Sequence, residues 1–170
     1  MAKRSSKTSK KLSNKTETIP KGSQLVNTKS IAGLESAELS FRFLGRAGNY
    51  GLQKAHEKAR KTNGDFFKSL SDFIDDFYRT NDIETFIRTY GSSSGSKIKK
   101  RNNGYVKNLI EHFEKQYPEV KMFHNGQNEL DSLIHLHLKR GGKGESVVFV
   151  LQYDNTLYLI GIDVLHDFSK

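Results

Sequence analysis

The sequence predicts an α+β domain: an N-terminal strand and helices followed by a C-terminal antiparallel β-meander, all behind a disordered basic N-terminal tail. Three observations carry this. Apolar residues recur at three- and four-residue steps from Asn63 to Tyr90 and again from Gly104 to Tyr117, then alternate at steps of two after Pro118, and residues 1–30 offer almost nothing to bury. With 170 residues the chain can build one packed core, but its 35% hydrophobic share leaves part of it outside that core. The organisation that follows is a tail over 1–30 and a single domain over 31–170, helical over about 50–117 and sheet over about 119–168.

The tail holds eight bases (Lys3, Arg4, Lys7, Lys10, Lys11, Lys15, Lys21, Lys29) against Glu17, which is +7 of the chain's total of +9. The body is therefore nearly balanced. An arm of this composition attracts polyanions by phosphate contacts and counterion release without reading sequence, or simply stays solvated. There are no cysteines, which excludes a disulfide scaffold, thiol catalysis and sulfur-based zinc sites. No apolar run is long enough to span a bilayer and none follows the basic N-terminus as in a secretory signal, so a soluble, cytoplasmic protein with no membrane partner is expected.

Leu39, Phe41 and Phe43 alternate with polar residues and predict a short strand ending at Gly45. Gly45, Gly48 and Gly51 then predict a hinge or loose turn; no strand-turn-helix frames them as a phosphate loop. Phe66, Phe67, Leu70, Phe73, Ile74, Phe77 and Tyr78 form the apolar face of a helix, with Asn63 as its cap and Asp65 in its first turn. Ile83, Phe86, Ile87 and Tyr90 make a second helix capped by Asn81. The surrounding Asp72, Asp75, Asp76, Asp82 and Glu84 read as a solvated acidic surface rather than a metal site.

Gly91 to Ser96 is a flexible linker, followed at once by Lys97, Lys99, Lys100, Arg101 and, inside the next helix, Lys107. Five cations beside a glycine-serine segment predict a phosphate-binding loop. The helix over 104–117 turns Tyr105, Val106, Leu109, Ile110 and Phe113 inward and stops at Pro118. Val120, Met122 and His124 suggest a short strand before the turn Asn125-Gly126. Ile134, Leu136 and Leu138 alternate with His135 and His137, giving one apolar face and one face with two imidazoles. Arg140 to Gly144 is a basic turn, Val147 to Leu151 a central strand apolar on both faces, Tyr153 to Thr156 a turn, and Leu157 to Val164 the partner strand.

Two imidazoles two residues apart on a strand point the same way, a geometry that suits metal ligation, phosphate binding or acid–base work. The pair also resembles the metal site of rolling-circle replication and relaxase enzymes, whose nucleophilic tyrosine would have to be Tyr50 or Tyr117. The segment from Leu133, "LIHLHLKRGGKGESVVFVLQYDNTLYLIGIDVLHDFSK", more broadly resembles the last three strands of the RelE/ParE toxin superfamily. That resemblance implies a toxin ribonuclease, or a gyrase poison that cuts nothing, with an antitoxin or immunity protein as partner. It places Lys139 and Arg140 at the end of the first strand, Lys143 in the turn and His166 near the end of the last strand. The arginine usual in the family's central strand is missing, and the helical part exceeds the family's compact plan.

The chemistry implied is metal-independent endoribonuclease cleavage, with no cofactor and no metal. One of His135, His137 and His166 removes the ribose 2′-hydroxyl proton, while Lys139, Arg140 and Lys143 stabilise charge on the phosphate oxygens. "GGKGESVVFVLQYDNTLYLIGIDVL" is also similar to a KOW-type motif, which implies a small SH3-like barrel that binds DNA or RNA without chemistry. Either way the expected partner is nucleic acid, RNA in preference to DNA. Lys97, Lys99, Lys100 and Arg101 join Lys139, Arg140 and Lys143 as binding residues.

Overall fold

The computed structural model describes residues 36–92, 96–120, 123 and 130–169. The basic tail, most of the strand expected around Met122 and His124, and the turn Asn125-Gly126 lie outside the described residues. In chain order come β1 (Glu38–Ser40), α1 (Leu52–Thr62), α2 (Phe66–Thr80), α3 (Ile83–Tyr90), β2 (Lys97–Lys99), α4 (Gly104–Gln116), β3 (Ser132–Lys139), β4 (Lys143–Tyr153) and β5 (Thr156–Asp163). Single turns of 3-10 helix occupy Leu44–Arg46, Gly48–Tyr50, Lys100–Asn102 and Asp167–Ser169. The α+β class and the closing meander are as the periodicity predicts. Among the described residues no helix is long and apolar enough to cross a membrane.

The five strands lie in the order β1-β5-β4-β3-β2, antiparallel except where β1 runs parallel to β5. Val147 to Leu151 is fully buried at the centre, so alternate residues feed two separate cores. Leu136, Leu138, Val148, Val150, Leu157 and Leu159 pack against α1–α3. Leu133, Val147, Phe149, Leu151 and Ile160 pack against α4, Phe43, Phe123 and Phe168. A β-bulge between the Phe149 and Val150 pairings sets Ile160 as the extra residue and leaves Gly161 opposite Phe149. A Cβ on Gly161 would stand 2.9 Å from a Leu109 methyl, so the missing side chain is what lets α4 settle on the sheet.

Several local expectations shift. β1 is only three residues long; Phe41 is exposed and Phe43 turns into the second core, because the chain leaves the sheet after Ser40. The glycine hinge is two successive 3-10 turns leading into α1, whose buried positions are only Ala55 and Ala59. Asn63 closes α1 instead of opening α2, where Asp65 holds the N-cap position. Asn81 closes α2 at φ 48°, a left-handed conformation asparagine tolerates, and Asp82 caps α3 by accepting Thr85 N–H at 2.9 Å. The acidic stretch is exposed at Asp72, Asp75, Asp82 and Glu84, but Asp76 is half-buried. Val120 is in no strand, whereas Lys97–Lys99 is one, paired with Ser132–Ile134.

Candidate nucleic-acid interface

The cations after the linker gather because β2 and α4 meet at an angle. Strand alternation turns Ile98 inward opposite Leu133 and leaves Lys97 and Lys99 exposed. The 3-10 turn Lys100–Asn102 then reverses the chain into α4. Asn103 caps that helix, its Oδ1 accepting Val106 N–H at 3.0 Å, while its Nδ2 donates to the Phe168 carbonyl at 2.7 Å. A cleft of about 720 Å³ results, in which Lys99, Lys100, Arg101 and Lys107 face one carboxylate, Asp131, with Asn102, Asn103 and Gly104 between them. The N-terminal end of α4 adds partial positive charge to the same wall. Lys100 stands 4.0 Å from Glu114 and Lys107 stands 3.9 Å from Glu111. Lys97 lines a neighbouring cleft that shares Asp131.

The other basic group is dispersed. Lys139 and Lys143 face each other across the ladder at the β3–β4 turn, both exposed. Gly142 sits at φ +65°, where a Cβ would be 2.6 Å from the Gly91 carbonyl, so this turn is seated against the end of α3. Lys139 and Arg140 line a cleft of about 510 Å³ whose opposite wall carries Asp65, Asp72, Asp75 and Asp76 of α2 and its N-cap. Arg140 Nε donates to Asp76 Oδ2 at 2.7 Å, and the Tyr90 hydroxyl donates to the same oxygen. The hydrogen bond from Arg140, then that from Tyr90, holds the Asp76 carboxyl below its ordinary range. Burial, then the Asp76 carboxylate, pushes the Tyr90 phenol up to about 12. Arg140 is thus committed to a carboxylate before any phosphate arrives.

His135, His137 and His166 do come together. The His137 ring centroid lies 5.5 Å from that of His135 and 5.0 Å from that of His166. His135 Nδ1 is 2.8 Å from the Ser96 carbonyl and His137 Nδ1 is 3.1 Å from that of Gly144. Carbonyls only accept, so both rings carry their hydrogen on Nδ1. The imidazole face of β3 is covered: His135 is 7% and His137 6% exposed, with Phe168 against His135 and His166 against His137. Burial pushes the His135 imidazole below its ordinary range, opposed by the Ser96 hydrogen bond. Of the tyrosines considered as nucleophiles, Tyr117 donates to the Phe43 carbonyl and Tyr50 packs edge-on against Tyr105. Among the described residues no three histidine or acidic side chains are arranged to hold a metal ion.

Two residues that build this region carry little signal in the sequence. Asn103 is legible only as a helix cap, and its second bond, to a residue 65 positions away, is not. Phe168 follows the last strand and has no periodic partner. Compared with family models, curated proteins and solved structures, the chain matches none.

Proposed function

We propose that the β2–α4 cleft binds the sugar-phosphate backbone of nucleic acid, RNA in preference to DNA. The observation that carries the reading is four cations lining one cleft with Asp131 as its one lining carboxylate, at a helix N-terminus, with Glu111 and Glu114 near two of the four. Phosphate contacts of this kind position a strand without reading its bases. The preference for RNA rests on the likeness of the closing strands to RelE-type toxins. Binding without turnover fits better than cleavage, because His135 and His137 are buried and Arg140 is held by Asp76.

The convergence of His135, His137 and His166 supports a second reading, metal-independent endoribonuclease cleavage. Labelled RNA and duplex DNA, incubated with the full chain and read for both mobility shift and strand scission, separate the two. Binding gives a shift of RNA with intact strands. Scission leaving a cyclic phosphate, lost in H135A, H137A or H166A, moves the assignment to the enzyme. Absence of any shift at low salt ends both.

A further inference from the structure

The last turn of the chain supplies His166 to the histidine cluster and lays Phe168 against His135. Phe168 is 8% exposed, with its ring 4.5 Å from His166, 5.3 Å from His135 and 5.4 Å from Phe149. Val164 and Leu165 at the start of the turn pack into the first core, and the Ser146 hydroxyl donates to the Val164 carbonyl at 2.8 Å; beyond them the polar attachments are few. The buried Asp163 carboxylate accepts the N–H of Leu165 at 3.2 Å and of Phe168 at 2.9 Å. Asn103 holds the Phe168 carbonyl, and Lys58 of α1 pairs with Asp167. His166 reaches the cluster through a left-handed backbone, φ +57°, closed by the Ser169 hydroxyl donating to its carbonyl at 2.9 Å. No strand pairing secures this segment beyond Asp163.

We propose that residues 165–169 are a proton-released latch, closed over the histidine cluster at neutral pH and opened by acid. The inference is independent of what the β2–α4 cleft binds. With Nδ1 of His135 and His137 already donating to carbonyls, an added proton enters at Nε2. Two cationic rings at these separations repel one another in a site with little water to screen them. The charged groups acting on His135 are the other two imidazoles, and both oppose its protonation. Asp163 at the end of β5 is engaged with two backbone N–H groups, and Asp167 is paired with Lys58. Glu145 on β4 and Lys97 on β2 are exposed, and burial keeps the Tyr105 phenol of α4 neutral. Burial favours neutral His135, so its contribution to closure is complete above the ordinary histidine range and is lost as pH falls from that range through the lower value of the closed state.

Amide hydrogen exchange on the full chain, expressed as protection factors at about pH 7.5 and 5.5, tests the latch. Protection of Leu165 and Phe168 N–H should fall by up to about tenfold while Phe73 and Val150 hold. H166N keeps the left-handed backbone accessible but cannot titrate, and should flatten the fall; H137Q, at a position of ordinary backbone, should also reduce it. The proposal is overturned if protection at 165 and 168 is unchanged with pH. It is equally overturned if the core amides fall in parallel, or if both variants retain the full fall.

Discussion

Replacing Lys99, Arg101 and Lys107 together by glutamine removes three of the four cations from the β2–α4 cleft while leaving Lys100, half-buried and 4.0 Å from Glu114, in place. All three replaced side chains are exposed, and the one ion pair they make among the described residues, Lys107 with Glu111 at 3.9 Å, is a surface i,i+4 pair worth a few tenths of a kcal/mol, so folding is preserved. Each phosphate contact contributes about 0.7 to the slope of log affinity against log salt for a single strand, so losing three flattens the slope by about 2. Between about 50 and 200 mM salt, wild type should therefore lose about 20-fold more affinity than the variant. Fluorescence anisotropy with labelled single-stranded RNA across that range measures both slopes, and any contribution of the basic tail is common to the two proteins. K68Q/R79Q/K139Q serves as control, because these cations line the cleft that already holds Asp65, Asp72, Asp75 and Asp76. Equal slopes in wild type and the cleft variant, or an equal flattening by the control, would refute the assignment of the binding surface.

Three further outcomes follow from the packing and the ion pairs. Gly161→Ala drives a Cβ to 2.9 and 3.1 Å from the two methyls of fully buried Leu109, and should lower stability by about 1–3 kcal/mol in urea denaturation; an unchanged midpoint would mean that α4 yields without cost. Asn103→Ala removes a helix cap together with the anchor of Phe168 and should cost about 1–2 kcal/mol, whereas Asn103→Asp, which keeps the acceptor at Val106, should cost less. Asp76→Asn should draw the Tyr90 phenol, at about 12, part of the way back towards the ordinary tyrosine range in an ultraviolet titration, burial keeping the remainder. Asp76 titrates below the ordinary carboxylate range, so its stabilisation is complete above that range and is lost as pH falls through the folded value. Acid denaturation of Asp76→Asn should lack that component.

Periodicity along the chain was enough to determine the α+β class, the central position of Val147 to Leu151, and α4 from its Gly104 start to the Pro118 stop. These properties are local, since the spacing of apolar side chains decides which helix or strand can bury a face. The cationic cleft was half legible: the run of lysine and arginine is visible, but that Ile98 turns it into an edge strand depends on Leu133 across the ladder. α1 was less so, because alanine at positions 55 and 59 marks a close approach without the large apolar residues that signal a helix. Tertiary structure alone decided the parallel pairing of β1 with β5, the capture of Arg140 by an aspartate 64 residues earlier, and the cover that Phe168 lays over His135. Each joins groups far apart in sequence, and no spacing along one segment specifies which distant segment will cover it. Exposure is therefore a property of the assembled layers, and the same strand alternation that set both imidazoles on one face left open whether water or a phenylalanine would meet them.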